Sequence, residues 1–411
     1  MKVLMLSWEY TPHIVGGLGK HVVEIVPPLI EDGVEIHLVV PNLGGGVFNE
    51  PLLLPDGSRA TNGSQVYRVE AAGMGGDFFT NTWHDNILVG EFCKHLIRHE
   101  GGFDLIHDHD WLSGFAAISA KHDFHLPLVA TIHATEMGRN RGNLYGDMQK
   151  SIHQAEWWLT FEAWRIITCS NYMAWEVETY FGAPQNKVDV IPNGVDPRRF
   201  DALRGKDLSE FRLQYAQPDE PIVYYVGRMV PEKGLSVLID AVPQVLQDWP
   251  GVKFVLAGGG GYANDLREQA NALGVEGNVI FPGRIPDEVR DQLFMVANCA
   301  VFPSLYEPFG IVALEAMAAG VPVVVSDVGG LSEVVDLHET GIKVHPDDPG
   351  SLAWGILHTL RNPHWSAQRV QNADRVVRNQ YNWHRIADMT LKTYERTVAE
   401  AKAGDWAYKE G

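Results

Sequence analysis

Short apolar runs alternate with longer amphipathic stretches along this chain, and the series is completed once and then begun again. Val3–Ser7, Glu35–Val40, Leu105–His107, Leu128–Ile132, Ile166–Cys169 and Val188–Ile191 read as strands. Patterns such as Lys20–Glu31 and Asp85–His99 read as the helices between them. The second series has strands at Ile222–Val226, Val252–Ala257, Val279–Phe281, Cys299–Phe302, Val321–Val325 and Thr340–Val344. Its helices are Leu235–Gln247, Tyr262–Leu273, Glu288–Met295, Ile311–Ala319 and Ser351–Arg361. A strand followed by a helix followed by a strand is how a parallel sheet is wound, and apolar runs of this kind belong to sheets covered on both faces. The fold class predicted is α/β, with two doubly wound, Rossmann-like parallel-sheet domains.

The series break at Pro192-Asn193-Gly194-Val195-Asp196-Pro197, which predicts domains at residues 1–197 and 198–382. The glycine-rich segment Leu43–Gly76 interrupts the first series and reads as loops with one or two short strands. A last helical pattern, Trp383–Lys402, has no strand of the second series left to serve.

At 411 residues the length predicts roughly two or three domains, and an apolar fraction of 45% is ample for full cores. Its net charge of −19 argues against a nucleic-acid partner, which needs a basic face. An acidic N-terminal half also disfavours an anionic membrane surface. Cys93, Cys169 and Cys299 are odd in number and far apart, which suggests buried thiols in a reducing compartment. The run Met1–Leu6 reads as a strand rather than a signal peptide, and no stretch has the roughly 18 apolar residues of a membrane span. The expectation is a cytoplasmic protein with no transmembrane segment.

The stretch from Ser304 to Met317 carries the sharpest chemistry. An apolar strand runs into Glu307-Pro308-Phe309-Gly310, where proline presets one φ and glycine admits a close backbone approach. Helical spacing then starts at Ile311 and stops at Gly320. The free amides from Phe309 to Val312 would therefore cap a strand end, and such a helix terminus is an anion site. Glu307 stands just before it and Glu315 one turn inside, so a carboxylate lies on either side of a bound anion. A phosphate carrying sugars at both ends, such as a sugar nucleotide, suits that arrangement.

Other strand ends carry polar groups where an open α/β sheet binds ligands. After the first strand, Gly16-Gly17 opens a helix and offers a second anion site, although the spacing is a poor dinucleotide fingerprint. His107-Asp108-His109-Asp110-Trp111 follows the third named strand. Alternation of side chains makes metal ligation from this run awkward, and hydrogen-bonded polar groups at a strand end are the plainer reading. His133 ends the next strand, either to meet a sugar hydroxyl or as an ordinary satisfied edge histidine. Gly227-Arg228 and Lys233-Gly234 share one strand-to-helix loop, and the two cations can reach a common diphosphate. Trp8, Glu9, Tyr10, Trp83, His84 and Trp111 could floor a carbohydrate acceptor site by stacking and hydrogen bonding.

Taken together, these stretches resemble the retaining glycosyltransferases of the GT-B fold, family four in particular, with an echo of the glycogen and starch synthases. The resemblance rests on Glu307 and Glu315, Gly227-Arg228 with Lys233-Gly234, Gly16-Gly17, His133, Asn193-Gly194-Val195-Asp196, and Gly329-Gly330 with Glu333. It implies a deep cleft between two Rossmann-like domains and a last helix, within 383–411, that crosses back to the N-terminal domain. It implies donor-diphosphate contacts from Arg228, Lys233, Gly16, Gly17 and the backbone of Phe309, Gly310, Ile311 and Val312. Glu315 would bind the nucleotide ribose, Glu307 the donor sugar's hydroxyls, and His133 its 6-hydroxyl. The base would lie near Arg284 and Ile285. Asp110-Trp111 resembles the acceptor-side His-Asp-Trp-His run of glycogen synthases, but Leu112 replaces the final histidine. Ile14 stands where those synthases carry a lysine before the glycine pair.

What the resemblance implies about function is transfer of a hexosyl group, glucosyl above all, from ADP-glucose or UDP-glucose to a carbohydrate hydroxyl. The anomeric configuration would be retained, with no metal and no other cofactor. Alternatives within reach of the same residues are a small-molecule or cell-envelope acceptor, a GT-B phosphorylase and a sugar-nucleotide epimerase.

Overall fold

The computed structural model describes residues 1–411 except 55, 72–74, 405 and 407–411. The chain divides into two compact units, one of residues 1–193 with 383–411, the other of residues 194–382.

The first unit holds β1 (Lys2–Leu6), β2 (Glu35–Pro41), β3 (Asn49–Pro51), β4 (Gln65–Val69), β5 (Leu105–His109), β6 (Leu128–Ile132), β7 (Arg165–Thr168) and β8 (Val188–Val190). They form one sheet in the order β3-β4-β2-β1-β5-β6-β7-β8. All neighbours are parallel except β3, which runs antiparallel to β4. The glycine-rich segment thus supplies two short strands at the sheet's edge. Val3, Met5, Ile36 and Leu38 of the central strands pack with Ile25 and Leu29 of helix Gly17–Glu31. The last helix, Trp383–Ala403, buries Trp383, Ile386, Ala387, Thr390, Tyr394 and Thr397, a stripe at helical spacing. Trp383, Ile386 and Tyr394 join that same core. The remainder of the pattern expected at 383–411 falls largely on 405 and 407–411, outside the described residues.

The second unit holds β9 (Ile222–Val226), β10 (Lys253–Ala257), β11 (Val279–Gly283), β12 (Cys299–Phe302), β13 (Val323–Ser326) and β14 (Ile342–Val344). Their order is β11-β10-β9-β12-β13-β14, parallel throughout. Tyr224, Tyr225, Phe254, Phe294 and Phe302 are fully buried. Helix Pro349–Arg361 lies so close to the sheet that a Cβ at Gly355 would come 2.7 Å from Val344 Cγ1. Helix Pro363–Gln380 was not legible in the pattern, because the positions it buries are Ser366, Arg369, Ala373 and Val377, mostly polar or small.

In each sheet the winding reverses once, between β1 and β5 and between β9 and β12. Loops leaving neighbouring strands in opposite directions open a crevice at such a point. The three cysteines are free and buried. No helix among the described residues is long and apolar enough to cross a membrane.

Candidate active site

In the second unit the loops after β9 and β12 meet at the reversal. Lys233 Nζ donates to Glu307 Oε2 at 2.8 Å, and Ser304 Oγ donates to the same oxygen at 3.1 Å. The loops are locked backbone to backbone. The amides of Leu305 and Tyr306 donate to the Glu232 carbonyl, at 2.8 and 3.2 Å. Gly234, at φ +65°, sits where a Cβ would stand 1.9 Å from the Pro303 carbonyl oxygen. A third loop closes on the Glu307 turn, with the Gly330 amide donating to the Glu307 carbonyl at 2.9 Å. Arg228 is exposed and only loosely paired, 3.8 Å from Glu232. Arg284 follows β11 with its side chain against Gly259, and Ile285 beside it is half-buried.

Helix Ile311–Ala319 begins after Gly310 at φ +103° and ends at Gly320 at φ +81°. Every residue in it but Val312 is buried, and Glu315 is its one charged group. A carboxylate that is 1% exposed needs a charge partner, and Arg199 Nη2 supplies it at 2.5 Å from Oε1. Arg199 escaped the sequence reading because 116 positions separate it from its partner. Phe309 and Ile311 are buried, and the amides of Ile311 and Val312 head the helix.

In the first unit the glycine pair behaves differently from the expectation. Glu9 Oε2 accepts the amides of Val15, Gly16 and Gly19, at 2.8, 3.0 and 3.2 Å. The anion that this helix terminus attracts is thus the chain's own Glu9 carboxylate, and the Gly16 amide is already spent on it. Gly19 is fitted to that contact, since a Cβ there would lie 2.7 Å from Glu9 Oε2. Glu9 organises the loop. Oε2 is committed to that role.

Behind this loop stands a cluster of imidazoles. His107 is saturated, with Nδ1 2.6 Å from the Tyr394 hydroxyl and Nε2 2.7 Å from Thr131 Oγ1. It is a structural histidine, its ring held neutral by burial that lowers its pKa to about 3. His109 shares a hydrogen bond with His133, Nδ1 to Nε2 at 3.1 Å. His21, one turn inside helix Gly17–Glu31, donates from Nδ1 to Asn193 Oδ1 at 2.6 Å. Burial lowers His21 to about 4 and holds His109 and His133 well below the ordinary histidine range. Asp110 adopts φ +62°, a conformation rarely held outside glycine. Its Oδ1 accepts the His133 amide at 2.7 Å, so it positions the backbone of that histidine. Burial pushes the Asp110 carboxyl up to about 7, with Arg139 pulling the other way.

The buried state of His21 sets a measurable linkage. Its folded pKa lies below the ordinary value near 6.5, so the unfolded chain takes up the proton first as pH falls. Its stabilising contribution is present above about 6.5 and drains away toward pH 4. Between pH 7 and pH 5 the wild type is expected to lose about 2 kcal/mol more stability than His21→Gln. Urea unfolding of both proteins at both pH values checks this, and parallel losses would contradict it.

The aromatic residues divide. Trp111 is 4% exposed, stacked on Phe79 and edge-on to Phe78, so its indole is core. Tyr10 is half-buried, its hydroxyl pushed up to about 12 chiefly by desolvation. Trp83 is 41% exposed and lines a cavity of about 500 Å³ with Phe79, Phe115, Lys150, Gln154, Trp157 and Trp158.

Residues 15–199 match the family model described as Glycosyltransferase Family 4, and residues 209–379 the one described as Glycosyl transferases group 1. An uncharacterised glycosyltransferase of Methanocaldococcus jannaschii is 38% identical over 398 residues, 96% of this chain and 98% of that protein. The glycogen synthase of Mycobacterium tuberculosis is 34% identical over 405 residues, 96% of this chain and 94% of its own. The structure of sucrose-phosphate synthase from Thermosynechococcus elongatus superposes with a TM-score of 0.81 over 97% of this chain and 99% of its own, at 24% identity. That last likeness concerns fold, and the fold is GT-B.

Proposed function

Because the chain belongs to the group 1, family 4 glycosyltransferases, we propose that it moves a glucosyl group from ADP-glucose or UDP-glucose to a hydroxyl of a glucan, retaining the anomeric configuration. The observation that carries this reading is the Lys233–Glu307 pair on the turn that leads into helix Ile311–Ala319. Lys233 has three N–H donors, and Glu307 takes one, which leaves two for phosphate oxygens. Ser304 and Lys233 occupy Glu307 Oε2, which leaves Oε1 to accept from sugar hydroxyls. Arg228 swings from its loose pairing to form a bidentate contact with the diphosphate. Glu315, oriented by Arg199, accepts from the ribose, and Arg284 with Ile285 flanks the base. His133 meets the 6-hydroxyl of the donor sugar. The glycine-pair helix contributes through Gly17, since Glu9 already holds Gly16.

The bond from the anomeric carbon to the diphosphate oxygen breaks first, and negative charge collects on the leaving group. Arg228, Lys233 and the amides of Ile311 and Val312 stabilise that charge without help from a metal ion. Preorganised donors of this kind are each worth about 3–4 kcal/mol. The acceptor oxygen attacks the oxocarbenium-like carbon from the face the diphosphate leaves. The acceptor proton passes to the departing phosphate oxygen, so no separate base is needed. The resemblance to a glycogen synthase over nearly the whole chain supports a glucan acceptor.

The test is transfer from ADP-glucose and from UDP-glucose, side by side, in EDTA, with and without a malto-oligosaccharide. Chain extension with an α-linked product is the expected result. Donor hydrolysis without extension would move the acceptor to a small molecule or an envelope glycan. No nucleotide release from any sugar nucleotide would overturn the assignment, and loss of activity in EDTA would overturn the metal-free route.

A further inference from the structure

We propose that His21, His109 and His133 form a site for one divalent transition-metal ion of the zinc class, and that this ion inhibits transfer when it binds. The three residues come from separate elements of the first unit: helix Gly17–Glu31, the end of β5, and the loop leaving β6. Each offers one ring nitrogen, and these nitrogens lie within 4.8 Å of one another. No other group of three or more histidine, cysteine or carboxylate ligands comes together in this way among the described residues. Zinc–nitrogen bonds of about 2.0–2.1 Å place tetrahedral ligands about 3.3 Å apart, so nitrogens up to 4.8 Å apart need close by at most about 1.5 Å.

Two further observations point to a ligand. His109 Nε2 is buried and has no hydrogen-bond partner. A buried ring nitrogen in that state costs stability unless something occupies it, and the bond from His109 Nδ1 to His133 Nε2 is given up when the two rings turn to the ion. His21 donates from Nδ1 to Asn193 Oδ1, which fixes the tautomer and leaves Nε2 as a lone pair. A partner of this kind on the far side of the ring is what orients metal-bound histidines. An all-imidazole donor set favours zinc, nickel or copper over magnesium or calcium, which take oxygen ligands. Three protein ligands leave a fourth position for water or a hydroxyl.

Inhibition rests on the reading of His133 as a donor-sugar contact, since a metal-bound His133 is unavailable to the sugar; binding of the ion does not rest on it. Zinc affinity of the full chain is measured by competition with a chromophoric chelator, with cobalt as a spectroscopic probe. One ion per chain and a tetrahedral cobalt spectrum are expected. His109→Ala should weaken binding at least about a hundredfold, and Asn193→Ala about 10–100-fold. Asn193→Asp keeps the acceptor and should retain affinity, which separates second-sphere orientation from loss of fold. Circular dichroism checks each variant, and the wild-type cobalt spectrum stands even where His109→Ala fails to fold. Substoichiometric zinc, an octahedral cobalt spectrum, or unchanged affinity in His109→Ala would overturn the site. In the activity arm, zinc should suppress transfer, EDTA should restore it, and magnesium should do neither. Tight zinc binding with full activity would overturn the inhibition and the role given to His133, leaving the ion site standing. Absent binding with normal transfer would overturn the site and leave the transferase reading standing.

Discussion

Replacing Lys233 by alanine is expected to lower kcat by about 10²–10³-fold while the chain stays folded. Two losses combine in that one change. The diphosphate loses a cation at the moment its charge develops. Glu307, 7% exposed, loses the ammonium that holds it at 2.8 Å and keeps only Ser304 on that oxygen. An unpaired carboxylate beside a departing anion then repels it, so the transition state is penalised more than the ground state. The signature is a fall in kcat that exceeds any rise in KM. Lys233→Arg should recover little, because a planar fork on a different stem does not reproduce a point charge placed between two groups. Steady-state transfer kinetics with the two variants decide this. A rise in KM at constant kcat would show that Lys233 only helps to bind the donor.

The fold class was legible because the rhythm of apolar runs is set by burial on two faces, which leaves a strong imprint on composition. Where burial is achieved by other means, the imprint fades. Helix Pro363–Gln380 covers Ser366, Arg369, Ala373 and Val377, and no hydrophobic stripe announces it. That Lys233 and Glu307 follow strands of one sheet was legible from the chain alone. That β9 and β12 are neighbours, and so bring the two side chains into contact, comes from the strand order. Contacts between distant segments were not legible: Arg199 reaches Glu315, and His21 joins His109 and His133, without any local spacing to mark them. Glu9 shows a different limit. Its place after the first strand suggested an outward role, and the amides of Val15, Gly16 and Gly19 hold one of its carboxylate oxygens in the loop. A helix terminus attracts whichever anion is nearest, and here the nearest one is seven residues before the Gly16 amide. Trp111 failed as a stacking surface for a similar reason, since Phe78 and Phe79 already cover its indole.

Gly234→Ala should cost the second unit more than about 3 kcal/mol and remove transfer activity at the same time. The residue joins the cation-bearing turn to helix Leu235–Asp248. Its φ of +65° alone makes alanine unfavourable by about 1 kcal/mol, and that part of the cost depends on no neighbour. The larger part is steric. A methyl group 1.9 Å from the Pro303 carbonyl oxygen cannot be accommodated by a rotamer change, because a Cβ has no rotamer and its partner is main chain. One loop must move off the other. Movement breaks the bonds from the Leu305 and Tyr306 amides to the Glu232 carbonyl, and it draws Lys233 away from Glu307. Stability and catalysis therefore fail through one displacement, unlike Lys233→Ala, which should lose catalysis with the two loops still in backbone contact. Urea denaturation followed by tryptophan fluorescence measures the first and donor turnover the second. A Gly234→Ala protein with wild-type stability would mean that the loops after β9 and β12 are not in backbone contact. The Lys233–Glu307 arrangement would then lose its structural basis.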